Sequence, residues 1–400
     1  MLPDQMRSKI VRFRLQGQHL SHRLPPGELL QTAGACGVQN TPPGAAALSL
    51  HARLSGLTRD AVEQALEEGK TQLQTWSLRG APTIFPTRDA AVFTTGLLPG
   101  NSRTLQTFII GSEQPLKELG MPVGELVRLT AEAARVVLDG RILANKWKLD
   151  QELAQHILHK LPAEQQKIWQ GPSPFAENQI LGEALVSFAL RPVALQGVIC
   201  FAPRRGNEAS FVFTEQWLGS PPAALDLRQA RRELLRRYLR CYGPSTPQDF
   251  AAWTGTALQQ AKETWDLVKG ELVEVNLEGR RAWLHAEHLP DWDAPDEPQG
   301  VRFLPPHDPY MQQRDRQVLA ADKKLQRTIW RTVGCPGVVL LNGEIAAVWR
   351  PEKRGRRQKL NVTPIVTLAQ PARSLFEAEA QTLVAVYPNC DEVQMEFVDD

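Results

Sequence analysis

Three histidine pairs have a spacing that could bind a metal ion. Each pair is spaced i, i+3, so on a helix both imidazole rings lie on one face. The pairs are His19 with His22, His156 with His159, and His285 with His288. No pair lies in a His-Glu-x-x-His pattern, and no third ligand is evident beside any of them, so we predict no metal site.

The cysteines could bind a metal or form disulfides, but their spacing favours neither. There are five: Cys36, Cys200, Cys241, Cys335 and Cys390. They are far apart and odd in number, and none forms a Cys-x-x-Cys pair of the zinc-ribbon or redox type. We therefore expect free, mostly buried thiols.

Two basic runs are candidates for contact with phosphate. Residues 228–240 carry six arginines and one glutamate, and residues 350–359 carry six cations and one acid. Each run is either a solvated face or a phosphate-binding surface, and the net charge of +2 does not decide between them. On DNA such residues would position the duplex and would not read bases. The candidates are Arg231, Arg232, Arg236, Arg237, Arg354, Arg356 and Arg357.

The clearest of three repeated modules covers residues 225–289. An apolar stripe predicts a helix that ends at Gly243 and Pro244, and Ser245 or Thr246 then caps a short second helix. After a turn at Gly255 a third helix follows, and residues 271–289 alternate with the period of a hairpin whose turn is Glu278-Gly279. Helix, turn, helix and hairpin in this order predict a winged helix.

The other two modules have the same order of elements. The first predicts helices over 27–37, 42–56 and 57–70, the last capped by Thr58, and then strands over 72–80 and 82–86. The second combines helices within 130–162 with a strand-rich segment at 196–219, and a stretch of uncertain structure at 160–190 interrupts it.

The C-terminal part has a different composition. Residues 289–300 are a linker rich in proline and aspartate. Beyond it, residues 302–311, 337–350, 359–368 and 381–389 alternate like strands, with a turn at Asn342-Gly343. We expect a small, mostly β domain.

The length of 400 residues exceeds what one hydrophobic core usually supports, so we expect several domains in an α+β fold. The expected boundaries are 1–110, 111–222 and 223–290 for the winged-helix modules and 291–400 for the β-rich domain. No apolar stretch is long enough to span a membrane, and the N-terminal segment does not resemble a secretory signal. The expected location is the cytoplasm, in association with the nucleoid when DNA is bound.

Several motifs together resemble the winged-helix DNA glycosylases that remove alkylated purines, the family of the azinomycin-resistance glycosylase. They occur in the family's order at 37–58, 75–86, 195–206 with 211–219, 235–255, and 303–316 with 338–349. The resemblance implies three tandem winged-helix domains in a C-shaped arrangement around a DNA channel, and a small β-rich C-terminal part. It implies a monomer that acts on double-stranded DNA carrying alkylated or cross-linked bases.

The family's catalytic motif is a glutamine, an apolar residue, and then a glutamine or an aspartate. It falls on Gln39, Asn40 and Thr41, so the chain departs from the motif at its second and third places. The bond to an N7-alkylated purine is already weakened, and the enzyme chiefly stabilises an oxocarbenium-like sugar and orients water. Gln39 can orient that water, while the short hydroxyl of Thr41 can only assist weakly. Alternatively, Gln39 only satisfies backbone groups of its loop.

Two further motifs carry candidate residues. Relatives usually have Arg-Gly-Thr and, two residues later, a histidine, whereas here Arg79 and Gly80 precede Ala81, Pro82 and Thr83. The pair fits a wing strand from which Arg79 contacts phosphate or the catalytic loop, and a structural salt bridge is equally compatible.

The C-terminal motif is His307, Asp308, Pro309 and Tyr310. Asp308 is expected to cap a turn, because Asp-Pro is common turn chemistry.

Two functions follow from these observations. The first is a DNA-repair glycosylase that hydrolyses N-glycosidic bonds of N7-alkylpurines, including those in interstrand cross-links, without any cofactor. The second is a non-catalytic DNA-binding protein, either a regulator or a toxin-resistance binder, that kept the scaffold and lost the catalytic pair.

Overall fold

The computed structural model describes residues 3–109 and 111–398. The fold mixes helices and strands, in agreement with the predicted α+β class. The chain forms two compact units: the first unit contains residues 1–68, 235–253 and 268–400, and the second unit contains residues 69–234 and 254–267.

The helices occupy much of the chain, including the stretch at 160–190 that the sequence left uncertain. They are α1 (Asp4–Gly17), α2 (Leu29–Gly34), α3 (Ala45–His51), α4 (Arg59–Glu67), α5 (Ala90–Phe93), α6 (Ser102–Phe108), α7 (Glu113–Leu119), α8 (Val123–Val137), α9 (Lys146–Leu158), α10 (Ala163–Trp169), α11 (Leu181–Leu195), α12 (Thr214–Leu218), α13 (Leu227–Tyr242), α14 (Pro247–Thr254), α15 (Leu258–Asp266), α16 (Leu289–Asp293), α17 (Lys323–Ile329) and α18 (Gln370–Thr382). In the part of the chain that the structure describes, none of them is long and apolar enough to cross a membrane.

The strands form one five-stranded sheet and smaller sheets of two or three strands. They are β1 (Val38–Gln39), β2 (Gln72–Trp76), β3 (Pro82–Pro86), β4 (Leu143–Ala144), β5 (Ile199–Arg205), β6 (Glu208–Phe213), β7 (Leu272–Leu277), β8 (Arg280–His285), β9 (Val301–Leu304), β10 (Gly337–Leu341), β11 (Glu344–Arg354), β12 (Arg357–Pro364) and β13 (Glu392–Phe397). The sheet of the first unit has the order β13-β12-β11-β10-β9, in which only β12 and β13 are parallel.

The core of the first unit joins the N-terminal helix to the C-terminal sheet. Ile10 and Phe13 of α1 lie in one buried cluster with Leu304 of β9 and Leu340 of β10. Burial of apolar side chains at roughly 25 cal/mol per Å² is the main stabilising term here. The first and last parts of the sequence therefore belong to one folded body.

The core of the second unit forms where α8, α9 and α11 pack on one another and on β2 and β5. Trp169 is fully buried and donates its indole N–H to the carbonyl of Ala154 at 3.1 Å. A Cβ atom at Gly182 would lie 2.2 Å from the indole nitrogen of Trp169, so only glycine fits at the start of α11. Two of the five cysteines lie half-buried, and the buried three are Cys36, Cys200 and Cys241, as the sequence analysis expected.

The elements predicted for residues 225–289 are confirmed. α13 ends before Gly243, α14 and α15 follow, and β7 pairs with β8 across the Glu278-Gly279 turn, where both residues have positive φ. The Thr246 hydroxyl accepts a hydrogen bond from the Asp249 amide at 3.2 Å, which caps α14 as predicted. The Asn342-Gly343 turn between β10 and β11 is confirmed as well.

The strand predicted over residues 381–389 is wrong. α18 continues to Thr382 and a 3₁₀ turn covers Leu383–Ala385, while the fifth strand of the sheet is β13. Phe376, Ala380 and Leu383 are buried at helical spacing i, i+4 and i+7. The short apolar run after residue 381 is thus the end of an amphipathic helix and not an alternating strand.

Candidate functional site

The loop that contains the predicted catalytic residues connects α2 to α3, and we call residues 36–44 the Gln39 loop. Gly37 has a φ of 71° and donates its amide to the carbonyl of Ala33 at 3.1 Å, which closes the end of α2. Val38 is buried, whereas Gln39 and Thr41 are half-buried. Both candidate side chains therefore have partial access to solvent.

Asn40, the middle residue of the predicted motif, fastens the Gln39 loop to α3. Its side-chain oxygen accepts hydrogen bonds from the amides of Gly44 at 2.8 Å and Ala46 at 3.3 Å. Gly44 is the N-cap residue of α3 and Ala46 lies in its first turn, where N–H groups lack partners within the helix. Asn40, which lies between the candidate catalytic residues Gln39 and Thr41, thus has a structural role.

α3 itself is buried along its whole length, from Ala45 to His51. It packs against β1, α2 and β9. Burial raises the cost of a charge, and it lowers the pKa of His51 to about 4, with a smaller effect from the nearby Arg23 guanidinium. His51 is therefore a neutral core residue at neutral pH.

Arg53, just beyond α3, forms a buried ion pair with Asp308. Two guanidinium nitrogens donate to the two carboxylate oxygens at 2.8 Å each, and the side chains are 2% and 0% exposed. Arg53 also donates to the carbonyls of Ser49 at 2.7 Å and Gln18 at 3.0 Å. The guanidinium thus fastens the end of α3 to two other segments of the first unit.

Asp308 holds its own turn as well as Arg53. Its carboxylate accepts a hydrogen bond from the Tyr310 amide at 2.9 Å, next to His307 with a φ of 63°. The Tyr242 hydroxyl donates to the carbonyl of Pro309 at 2.8 Å, and Tyr310 is fully buried. The His307–Tyr310 motif is therefore part of the support behind α3.

A second buried ion pair lies in the same motif region. Arg14 is 1% exposed and donates to both carboxylate oxygens of Asp315 at 2.8 Å. It also donates to the carbonyl of Gly243 at 3.0 Å. Burial would raise the pKa of Asp315, but the charge and hydrogen bonds of Arg14 outweigh it and lower that pKa. Neither Arg14 nor Arg53 is among the residues predicted from the sequence.

The arginines of α13 have partners within the protein. In the first unit, Arg237 donates to the carbonyl of Gly34 at 2.8 Å, and Arg236 forms a two-pronged ion pair with Glu271 at 2.8 and 2.9 Å. Arg237 thereby holds the C-terminal end of α2, directly before the Gln39 loop. In the second unit, Arg231 is 7% exposed and donates to the carbonyl of Leu98 at 2.9 Å, and Arg232 is half-buried.

Arg79 and Gly80 do not lie in a wing strand, and this expectation is corrected. They occupy a 3₁₀ turn, Leu78–Gly80, between β2 and β3, and both have positive φ. A Cβ atom at Gly80 would lie 2.8 Å from the flexible Arg191 side chain, which can move, so it is the φ of 68° that favours glycine here. The strand predicted over 72–80 was too long. No proline or Asn-Gly pair marks the point where the alternating run ends and the turn begins.

The C-terminal arginines lie at the exposed tip of the long β11–β12 hairpin. Arg354, Arg356 and Arg357 have side chains 62%, 67% and 67% exposed, and their ion-pair partners are Glu352, Asp391 and Glu392. Exposed pairs of this kind contribute little to stability, so these guanidiniums exchange partners readily.

The structure brings some of the predicted residues together and not others. Gln39, Thr41 and Asp308 belong to the first unit, as do Arg236 and Arg237. The second unit contains Arg79, Gly80, Arg231 and Arg232. The Gln39 loop, held by Asn40, Arg237 and the α3 support, is the best-defined candidate site.

Comparison with known proteins identifies the family of this chain. The family model described as DNA glycosylase AlkZ-like matches residues 32–386. The chain belongs to this family. It is 25% identical over 364 residues to the "Interstrand DNA cross-link repair glycosylase" of Streptomyces sahachiroi, covering 89% of this chain and 90% of the relative. The solved structure of the DNA glycosylase AlkZ of the same organism has a TM-score of 0.74 at 22% identity and full coverage of both chains, which shows a shared fold.

The Arg53–Asp308 pair predicts a strong coupling of the two residues in stability. Asp308→Asn or Arg53→Met alone leaves one buried charge without its partner and should lower the free energy of unfolding by about 3–5 kcal/mol. The double variant should lose clearly less than the sum of the two losses, because no unpaired charge remains. Urea unfolding measures all four proteins.

The control for this cycle is Arg128→Gln, which breaks an exposed ion pair of α8 and should leave the unfolding free energy nearly unchanged. Strictly additive losses in the Arg53 and Asp308 variants would show that the two side chains are not energetically coupled.

Proposed function

We propose that this chain is a DNA glycosylase that binds double-stranded DNA and hydrolyses the N-glycosidic bond of alkylated purines. The observation that carries the proposal is Gln39, half-buried in a loop held at both ends, within a family match that spans residues 32–386. The name of the Streptomyces sahachiroi relative supports cross-linked bases as substrates.

The proposed reaction needs few catalytic groups from the protein. Alkylation at N7 places a positive charge on the purine, which makes the base a good leaving group. The enzyme then stabilises positive charge on the sugar and orients one water, and the amide of Gln39 has a carbonyl acceptor for that water. We propose that Gln39 orients the water and that Thr41 assists through its hydroxyl. The reaction consumes water alone, so no cofactor is part of the proposal.

The alternative is a DNA-binding protein without activity. It is favoured by Thr41, whose hydroxyl is short and has a pKa far too high for a general base. It is also favoured by Asn40, which replaces the apolar residue of the family's motif and whose side-chain oxygen caps α3. A regulator or a toxin-resistance binder would need only the DNA-binding surface.

For DNA binding we propose three winged-helix modules, at 1–110, 111–222 and 223–290, followed by the domain at 291–400. Support comes from the order of helices and hairpins in each stretch. The proposed phosphate contacts are Arg79, Arg231, Arg232, Arg236, Arg237, Arg354, Arg356 and Arg357. Those of the β11–β12 hairpin are the strongest candidates, because their side chains are the most exposed.

Excision of N7-alkylpurine from a duplex separates the two functions. Gln39→Ala should abolish the release of base, measured as abasic sites, because the water loses its acceptor. Thr41→Gln or Thr41→Asp should raise the rate about 10-fold or more, on the order of 1.4 kcal/mol of transition-state stabilisation.

Circular dichroism serves as the control for folding in these variants. A folded protein that binds the duplex, yields no abasic sites and gains nothing from either Thr41 substitution would establish the binding-only alternative.

Electrostatic contact with DNA is tested by salt dependence. Replacing Arg354, Arg356 and Arg357 by glutamine should weaken binding to all sequences alike, and should flatten the slope of log affinity against log salt by roughly 0.9 per lost contact. Arg128→Gln, at an exposed ion pair of α8, is the comparison for the loss of a cation elsewhere. An unchanged slope in the triple variant would assign the hairpin tip to the solvated surface.

A further inference from the structure

A group of possible metal ligands lies directly after the β7–β8 hairpin. His285 ends β8, and Glu287 and His288 belong to the 3₁₀ turn Ala286–His288 that leads into α16. One ligand atom from each of the three side chains lies within 4.8 Å of the other two. In the described ranges, 3–109 and 111–398, this is the one such group of three or more His, Cys, Asp or Glu residues.

The ring of His285 is oriented by a carboxylate on its far side. Its Nε2 lies 2.9 Å from an oxygen of Glu271, and that carboxylate is held in turn by the guanidinium of Arg236 at 2.8 and 2.9 Å. An ionised carboxylate only accepts hydrogen bonds, so Nε2 is the donor to Glu271, while Nδ1 accepts from the amide of Glu287. Nδ1, on the other side of the ring, is then the nitrogen available to bind a metal ion.

Nδ1 of His285 lies near the Glu287 side chain. Nδ1 accepts only a long hydrogen bond, 3.4 Å, from the amide of Glu287, and it lies 3.8 Å from the Glu287 carboxylate. A zinc ion binds imidazole nitrogen and carboxylate oxygen at about 2.0–2.2 Å, so a separation slightly under twice that length suits one shared ion. The Glu287 side chain is 76% exposed and can adjust.

The same ring arrangement recurs in protein metal centres, where a ligating histidine donates its second N–H to a carboxylate. We propose that His285, Glu287 and His288 bind one zinc-type divalent ion, with water as the fourth ligand and Glu271 as the orienting carboxylate. Two nitrogen donors exclude a preference for magnesium or calcium, which select oxygen. From the sequence we predicted no metal site at His285 and His288, although the third ligand, Glu287, lies between them.

Charged groups of both signs lie near the proposed metal site. Glu271, Glu287 and Asp291 favour a bound cation, while the guanidinium of Arg240 disfavours it. His288 is half-buried, and the centroid of its ring lies 5.6 Å from that of His285. The ion would join the end of the hairpin to α16, within the first unit.

Zinc and cobalt titrations of the full chain, freed of metal by a chelator, test the proposal. Calorimetry should show one tightly bound zinc per chain and a melting temperature that rises with zinc. Cobalt should give the visible spectrum of a tetrahedral ion with nitrogen and oxygen ligands. No zinc binding, or a cobalt spectrum with thiolate bands, would overturn the assignment and in the second case point to the cysteines.

Single substitutions locate the ion. His288→Ala and Glu287→Gln should each weaken zinc binding at least about tenfold and remove the rise in melting temperature. Glu271→Gln keeps an acceptor for His285 but loses the charge, and should weaken binding by about 10-fold. His159→Ala, at an exposed histidine that follows α9, is the matched control and should bind as the parent does.

Melting curves of each variant without metal show whether it is folded. Binding by folded His288→Ala at the parent's affinity would rule out the site. The result does not depend on glycosylase activity, so the metal site and the proposed function can fail separately.

Discussion

The buried ion pair of Arg53 and Asp308 is the interaction on which the candidate site depends. The residues are 255 positions apart in the chain, and both are almost completely removed from water. Two charges at such depth are tolerated only when each satisfies the other and the remaining donors find carbonyls, which Ser49 and Gln18 supply. The pair therefore permits only one placement of α3 relative to the turn at Asp308.

The position of the Gln39 loop depends on the placement of α3. Asn40 attaches the loop to the first turn of α3, and Arg237 holds the end of α2 on the other side. A water-orienting amide must be held within a fraction of an ångström to be useful, and rigid neighbours are the usual means. The loop thus has the support that catalysis requires, while the identity of Thr41 limits the chemistry available to it.

Local sequence signals predicted the elements of residues 225–289 well, because capping residues lie at the starts of helices there and turn residues lie between the strands. Thr246 caps a helix, and Glu278 with Gly279 forms the hairpin turn. The helices predicted over 27–37 and 42–56 left a loop at Gln39, and Asp-Pro chemistry predicted the turn at Asp308. The catalytic role of Gln39 rests on the family resemblance alone. Sequence patterns could not find Arg53 or Arg14, because their partners are distant in sequence. The sequence signal for a structural role of Arg53 was its place within the apolar run of residues 45–57.

Hydrogen exchange in the Gln39 loop tests most directly whether the buried pair holds the site in place. The amides of Gly44 and Ala46 are protected by Asn40, and their exchange reports on the junction of loop and α3. In folded Asp308→Asn, well below its melting temperature, these two amides should exchange at least about tenfold faster than in the parent protein, while amides of α8 in the second unit exchange as before. Unchanged protection of Gly44 and Ala46 would contradict the account, because the loop would then keep its position without the ion pair.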